Sequence, residues 1–165
     1  MFAALTCVAT MVIKIPSPLH GYINLGDCIV LLAGWMLSPL YAFIAAGLGS
    51  AFADLFSGYM VYVPATFIIK GLMALAAYIL HRVLYHKCGK LPAWILSGAA
   101  AEILMVAGYY VFEGFLYGFA ASIVNIPPNA VQGIAGLILG VILAKLFEKG
   151  KLHLLTDSDS DFSHK

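Results

Sequence analysis

The sequence predicts an all-α integral membrane protein: a bundle of six transmembrane helices with both termini on the cytoplasmic side. Composition is the first observation. The chain has 165 residues, is 62% hydrophobic and only 10% charged, with a mean hydropathy of +0.96. A soluble domain is about 45–50% apolar and about 25% charged, so a soluble fold of this length has no way to hide so much apolar surface. The second observation is the recurrence of apolar stretches of spanning length. The third is the placement of the basic residues.

Met1–Ile13 is apolar but lacks the basic leader and small-residue cleavage site of a signal peptide, so it reads as a short first membrane helix. Asp27–Phe56 is broken only by Ser38–Pro39, which predicts two helices, Cys28–Leu37 and Leu40–Phe56. Pro64–Leu84, Pro92–Phe112 and Pro128–Phe147 each meet the requirement of about 20 apolar residues for a crossing. Each opens on a proline, whose missing N–H costs nothing in the first helical turn. Residues 1–150 therefore form one six-helix domain. The polar, acidic end, 151–165, containing "TDSDSDFSHK", reads as a disordered cytoplasmic tail.

Orientation follows from charge. Arg82, Lys87 and Lys90 fall between the fourth and fifth spans, and Lys145, Lys149 and Lys151 follow the sixth. Six crossings put both groups on one side, and the excess of Lys and Arg marks that side as cytoplasmic. The opposite connectors carry only Lys14 as a positive charge.

Several function classes drop out. A net charge of +1 gives no footprint for nucleic acid. Cys7, Cys28 and Cys88 show no paired spacing, and no two of the five histidines stand at a ligand spacing within a helix, so no metal is implied. No internal repeat suggests an inverted-repeat secondary transporter.

Ionisable groups inside spans cost about 2.5–3.5 kcal/mol each on insertion scales, so those retained point to function. Asp27 and Asp54 fall toward the outer face, Lys70 roughly 9 Å in from the outer end of its span, and Glu102 near mid-membrane. One reading is mutual neutralisation, Lys70 pairing with Asp27 or Asp54. The other is a polar site, with Tyr109 and Glu113 continuing a line outward from Glu102. Asn129 and Gln132 stand one turn apart on one face at the outer end of the last span, and Tyr22 and Asn24 lie in the first outer loop. Amides and aromatics together suit a neutral, ring-shaped solute better than an inorganic ion. Leucine at position 132 is expected to weaken ligand binding with little effect on folding. Ala45, Gly49 and Ala53, and Gly136 with Gly140, recur every four residues and permit close helix approach, within the chain or to a partner. A membrane scaffold and a small intramembrane enzyme acting on lipids are the competing classes. No nucleophile–base pair supports the enzyme, and a scaffold has no need of the outer polar set.

The run from "YINLGD" through "GSAFADL" and "PATFIIKG", followed by "NIPPNAVQG", resembles the substrate-specific S components of energy-coupling factor (ECF) transporters. The likeness is to the subgroup associated with riboflavin, hydroxymethylpyrimidine and pyridoxine-like vitamins, and it extends from Phe2 to about Phe147. It implies a multi-pass protein of the bacterial plasma membrane that captures a water-soluble vitamin at its outer face. It further implies partnership with a membrane-embedded T component and two cytoplasmic ATPase subunits. The ATP would be used by those subunits, and this chain would bind no cofactor and be no enzyme. Tyr22, Asn24, Asn129 and Gln132 are implicated in binding, with Lys70, Glu102 and Tyr109 as further candidates. Asp27 is expected to cap the second helix and, with Asp54, to anchor the loop. Ala4, with Ala45 and Gly49, is the candidate docking face for the T component, although the residue four before Ala4 would precede Met1.

Overall fold

The computed structural model describes residues 1–17 and 22–162, with side chains described as far as Gly150. Seven α-helices appear among the described residues: α1 (Phe2–Val12), α2 (Asp27–Met36), α3 (Pro39–Phe56), α4 (Val63–Cys88), α5 (Lys90–Tyr117), α6 (Phe119–Ser122) and α7 (Ile126–Phe162). Four stretches, within α3, α4, α5 and from Phe119 to Gly150, are long and apolar enough to cross a membrane, whereas α1 and α2 are shorter apolar helices. The chain is thus an all-α membrane bundle, with helix boundaries within a few residues of expectation except in two places. α5 continues five residues past Phe112 to Tyr117, and α7 continues to Phe162 instead of ending at Phe147. The expected tail at 151–165 lies where side chains are not described.

Helix ends follow local chemistry. Pro39 sits in the first turn of α3 and Pro64 in that of α4. Gly89 joins α4 to α5 at φ +79°, and Gly118 ends α5 at φ +91°. A side chain at either would face the left-handed steric penalty that glycine escapes.

α2 occupies the centre. Val30, Leu31, Leu32 and Ala33 are essentially inaccessible, so this helix is apolar all round because protein surrounds it. It packs on α4 and α7, while α3, α4 and α5 pack in sequence and α1 lies against α3. Close approach is built in: a Cβ at Gly34 would meet the Ala74 carbonyl oxygen at 2.6 Å, and one at Gly49 the Ala3 carbonyl oxygen at 2.4 Å.

Ten residues of α2 span only about 15 Å. Above it the chain forms a feature absent from the sequence reading, an antiparallel hairpin of β1 (Lys14–Pro16) and β2 (Tyr22–Asn24) with Ile15 opposite Ile23. β1 stays exposed while β2 runs inward to a buried Asn24, and Asp27, three residues on, is wholly inaccessible. A Cβ at Gly136 would come within 2.7 Å of the Asp27 Cβ, which puts Asp27 about 15 Å down α7 from Ile126. Asp27 is therefore deeper than the outer edge expected for it.

Candidate functional site

The site is built from three helical stripes and the hairpin. Tyr62, Thr66 and Lys70 recur every four residues from the N-cap of α4 into the helix, Tyr109 and Glu113 do so on α5, and Asn125, Asn129, Gln132 and Gly136 share a face leading into and along α7. These faces converge beneath β2.

At the base lies a buried network. Lys70 Nζ donates to Asp27 Oδ1, both side chains being almost wholly buried. Gln132 Nε2 donates to Asp27 Oδ2 at 2.7 Å. The Gln132 Oε1 atom accepts from the Asn24 backbone N–H at 2.9 Å and from Asn24 Nδ2 at 3.3 Å. Asn24 Oδ1 in turn accepts from the Gly26 N–H at 2.9 Å. A buried ion pair is tolerable only when its remaining lone pairs are satisfied, and Gln132 does this for Asp27. Lys70 also lies 5.5 Å from the centroid of the Tyr109 ring, a cation–π distance.

This arrangement revises one expectation. Gly26, not Asp27, is the N-cap of α2, and no side-chain cap bond forms. The Asp27 carboxylate is turned to Lys70 and Gln132, and Gly26 is required because a Cβ there would fall 2.0 Å from Thr10 Oγ1.

The outer end of the hairpin is tied to α3. Tyr22 donates its hydroxyl to Asp54 Oδ1 at 2.6 Å, and its ring lies 4.8 Å from that of Tyr59. Burial first, then the neighbouring Asp54 charge, pushes the Tyr22 hydroxyl well above the usual tyrosine range. Lys14 Nζ donates to Ser57 Oγ at 2.8 Å.

Between these ties lies a polar cavity of about 40 Å³, walled by Ser17, Tyr22, Asn24, Asp54, Tyr59, Tyr62, Thr66, Tyr109, Glu113, Asn129 and Gln132. The structure thus brings together Tyr22, Asn24, Asp54, Tyr109, Asn129 and Gln132. Lys70 and Asp27 lie outside the lining, in the network beneath. Glu102 also lies outside it, in an apolar groove between α5 and α7 lined by Ile103, Val106, Tyr110, Ala130, Gly133 and Ile134. Both its carboxylate oxygens are buried without a hydrogen-bond partner among the described residues. Ala4 is exposed and Ala45 half-buried, while Gly49 is buried against α1 and is used in internal packing.

Sequence reading missed Ser17, Tyr59, Tyr62 and Thr66, and it noted Glu113 only as part of a polar line. Tyr62 donates to Glu113 Oε1 at 3.3 Å, and Asn125 Nδ2 donates to the same oxygen at 2.8 Å. The Thr66 and Tyr109 hydroxyls are 3.0 Å apart. The available signal was the four-residue stripe ending at Lys70, which places Tyr62 and Thr66 above a charge that must itself be paired.

Relatives give this geometry a family. Residues 1–149 match the family described as "ECF-type riboflavin transporter, S component". The chain is 32% identical over 143 residues to an uncharacterised protein of Pyrococcus woesei, covering 86% of this chain and 93% of that one. It is 26% identical over 155 residues to the "Thiamine precursor transporter HmpT" of Lactococcus lactis subsp. cremoris (strain MG1363), covering 90% and 84%. The solved S component of a bacterial ECF transporter shares the fold, with a TM-score of 0.63 and 23% identity, over 90% of this chain and 92% of that one. A multi-pass bundle with a polar cavity beneath a docked hairpin is accordingly the form taken here by a member of the ECF transporter S-component family, to which this chain belongs.

Proposed function

We propose that the protein is the substrate-binding subunit of an ATP-driven importer in the cell membrane. It captures a water-soluble vitamin or vitamin precursor at the outer face and delivers it through a T component and two ATPase subunits. The substrate belongs among riboflavin, hydroxymethylpyrimidine and pyridoxine-like compounds. The observation that carries this reading is the cavity: tyrosines, amides and carboxylates from α3, α4, α5 and α7 meet under the hairpin formed by the first connector. Such a set of convergent polar groups with ring faces fixes orientation for a small heterocycle, whereas a scaffold gains nothing from it. The family and the relative named for a thiamine precursor support the substrate class.

The test has two stages. Mass spectrometry of the small molecule that co-purifies with the chain should find a vitamin-like heterocycle. Reconstituted vesicles holding the chain alone should bind it without accumulating it, and adding the T component, the ATPases and ATP should produce uptake. Concentrative uptake by the chain alone on an ion gradient would overturn the proposal.

A further inference from the structure

The cavity wall has a one-sided chemistry. It carries two carboxylates, Asp54 and Glu113, and four tyrosines, Tyr22, Tyr59, Tyr62 and Tyr109, and none of the described lining residues is basic. Lys70, the nearest buried cation, is spent on Asp27 below. The two carboxylates differ in what they still need. Asp54 already accepts the Tyr22 hydroxyl. Glu113 is 2% exposed, and its Oε1 accepts both Tyr62 and Asn125. Its Oε2 is buried with no hydrogen-bond partner among the described residues. An unmet buried carboxylate oxygen is costly, and here it belongs to a residue on a cavity wall.

We propose that Glu113 is the specificity residue of the cavity, its Oε2 accepting an N–H from the exocyclic amine of a nitrogen heterocycle. This rests on the vitamin-binding reading above and narrows it. Asn125 and Tyr62 hold the carboxylate by Oε1 so that Oε2 stays available. The tyrosine faces suit the same ligand, because ring faces attract positive charge. The same wall disfavours phosphorylated or carboxylated forms of the ligand, since an anion entering between Asp54 and Glu113 would meet like charge on both sides with no basic residue in the described lining, Lys14 and Lys70 standing 5.8 and 5.5 Å from the Tyr22 and Tyr109 ring centroids. Glu113 sits four residues after Tyr109 on one face of α5, so ring stacking and N–H acceptance can act on a single bound ring.

Titration calorimetry on the purified full-length chain tests this with four probes: 4-amino-5-hydroxymethyl-2-methylpyrimidine, its 4-oxo analogue, its phosphate ester, and riboflavin. The aminopyrimidine should bind tightest, the oxo analogue at least tenfold more weakly, and the phosphate ester at least a hundredfold more weakly. Glu113→Gln is near-isosteric and should lower aminopyrimidine affinity about tenfold while shrinking its advantage over the oxo analogue. Glu113→Asp keeps the charge but shortens its reach, and should also lose affinity without reversing the discrimination against phosphate. If Glu113→Gln folds poorly, Glu113→Asp and the wild-type probe ranking still decide the matter. Tightest binding by riboflavin or by the phosphate ester, or an amino-to-oxo ratio unchanged in Glu113→Gln, would overturn the role of Glu113 and leave the vitamin-binding function standing. Failure of all four probes to bind, with no heterocycle co-purifying, would overturn both.

Discussion

Replacing Lys70 with methionine tests the network on which the site rests. The methionine keeps the length and apolar stem of lysine, and thereby isolates the charge. What it abandons is Asp27, fully buried and left, among the described residues, with Gln132 as its one side-chain hydrogen-bond donor. Removing one partner of a buried ion pair costs about 3–5 kcal/mol, because the other charge stays behind uncompensated. Set against a total stability of about 5–15 kcal/mol for a typical domain, Lys70→Met should remove a large share. Asp27→Asn should be similarly damaging, since it strands the ammonium. The double variant Asp27→Asn/Lys70→Met strands neither, and should be at least about 1.5 kcal/mol more stable than the sum of the single losses predicts, a coupling within the range seen for contacting residues. Unfolding in mixed micelles of increasing dodecyl sulfate content, followed by tryptophan emission, is a suitable assay. Trp35 and Trp94 lie 6.2 Å apart, with Trp35 Nε1 donating to Ser97 Oγ at 3.0 Å, so both report on the packing of α2 against α5. Additivity of the two single effects within about 0.5 kcal/mol would refute the pairing.

The other predictions concern the hairpin, the cavity and the orientation. Gln132→Leu removes the acceptor for Asn24 and a donor to Asp27, so stability should fall by about 2–4 kcal/mol together with ligand affinity, and amide exchange in β2 should accelerate. Unchanged exchange would sever Gln132 from the hairpin. Asn129 lines the cavity, and its side chain makes no hydrogen bond among the described residues, so Asn129→Leu should weaken binding roughly three- to tenfold at unchanged thermal stability, both readable by calorimetry. The Tyr22 hydroxyl is raised in the folded state above its unfolded value of about 10. Its stabilising contribution is therefore complete below about pH 10 and declines above it as the unfolded chain ionises first. Subtracting the pH profile of Tyr22→Phe from that of the wild type should expose this alkaline loss, and identical slopes would contradict it. Finally, a Met60→Cys substitution at the exposed α3–α4 turn should react with an impermeant thiol reagent in intact cells, while the native exposed Cys88 should not. The opposite pattern would invert the proposed orientation.

Helices announce themselves because bilayer thickness demands long apolar runs, and α3, α4 and α5 appear where those runs are. The intramembrane charges were also legible: Lys70 needed a carboxylate, and either Asp27 or Asp54 would have satisfied the charge count. Choosing Asp27 required knowing that the first connector folds as a hairpin, and three-residue strands are too short to carry a periodicity to read. The same fold gives Gln132, which lines the cavity, a further duty as a clamp whose amide bonds Asn24 and Asp27. Glu102 illustrates the opposite limit. It shares an α5 face with Tyr109 and Glu113, which line the cavity, yet it lies about 10 Å deeper along the helix, against Gly133 and Gly136 of α7 and level with Asp27, and depth below a hairpin that sequence does not reveal is not legible.

The docked hairpin also sets a thermodynamic toll on recognition. Small-molecule pockets run roughly 300–1,000 Å³, and the space beneath the strands is about 40 Å³, so a ligand must meet the protein in some less closed form. Apparent affinity is then the intrinsic affinity scaled by the fraction of molecules already open. If one molecule in about a hundred is open at any moment, observed binding is about a hundredfold weaker than the cavity could deliver. The bonds from Tyr22 to Asp54 and from Asn24 to Gln132 are thus a dial on sensitivity to scarce solute. Any change that raises the open fraction while leaving the cavity's own contacts intact would tighten capture, up to the limit those contacts set.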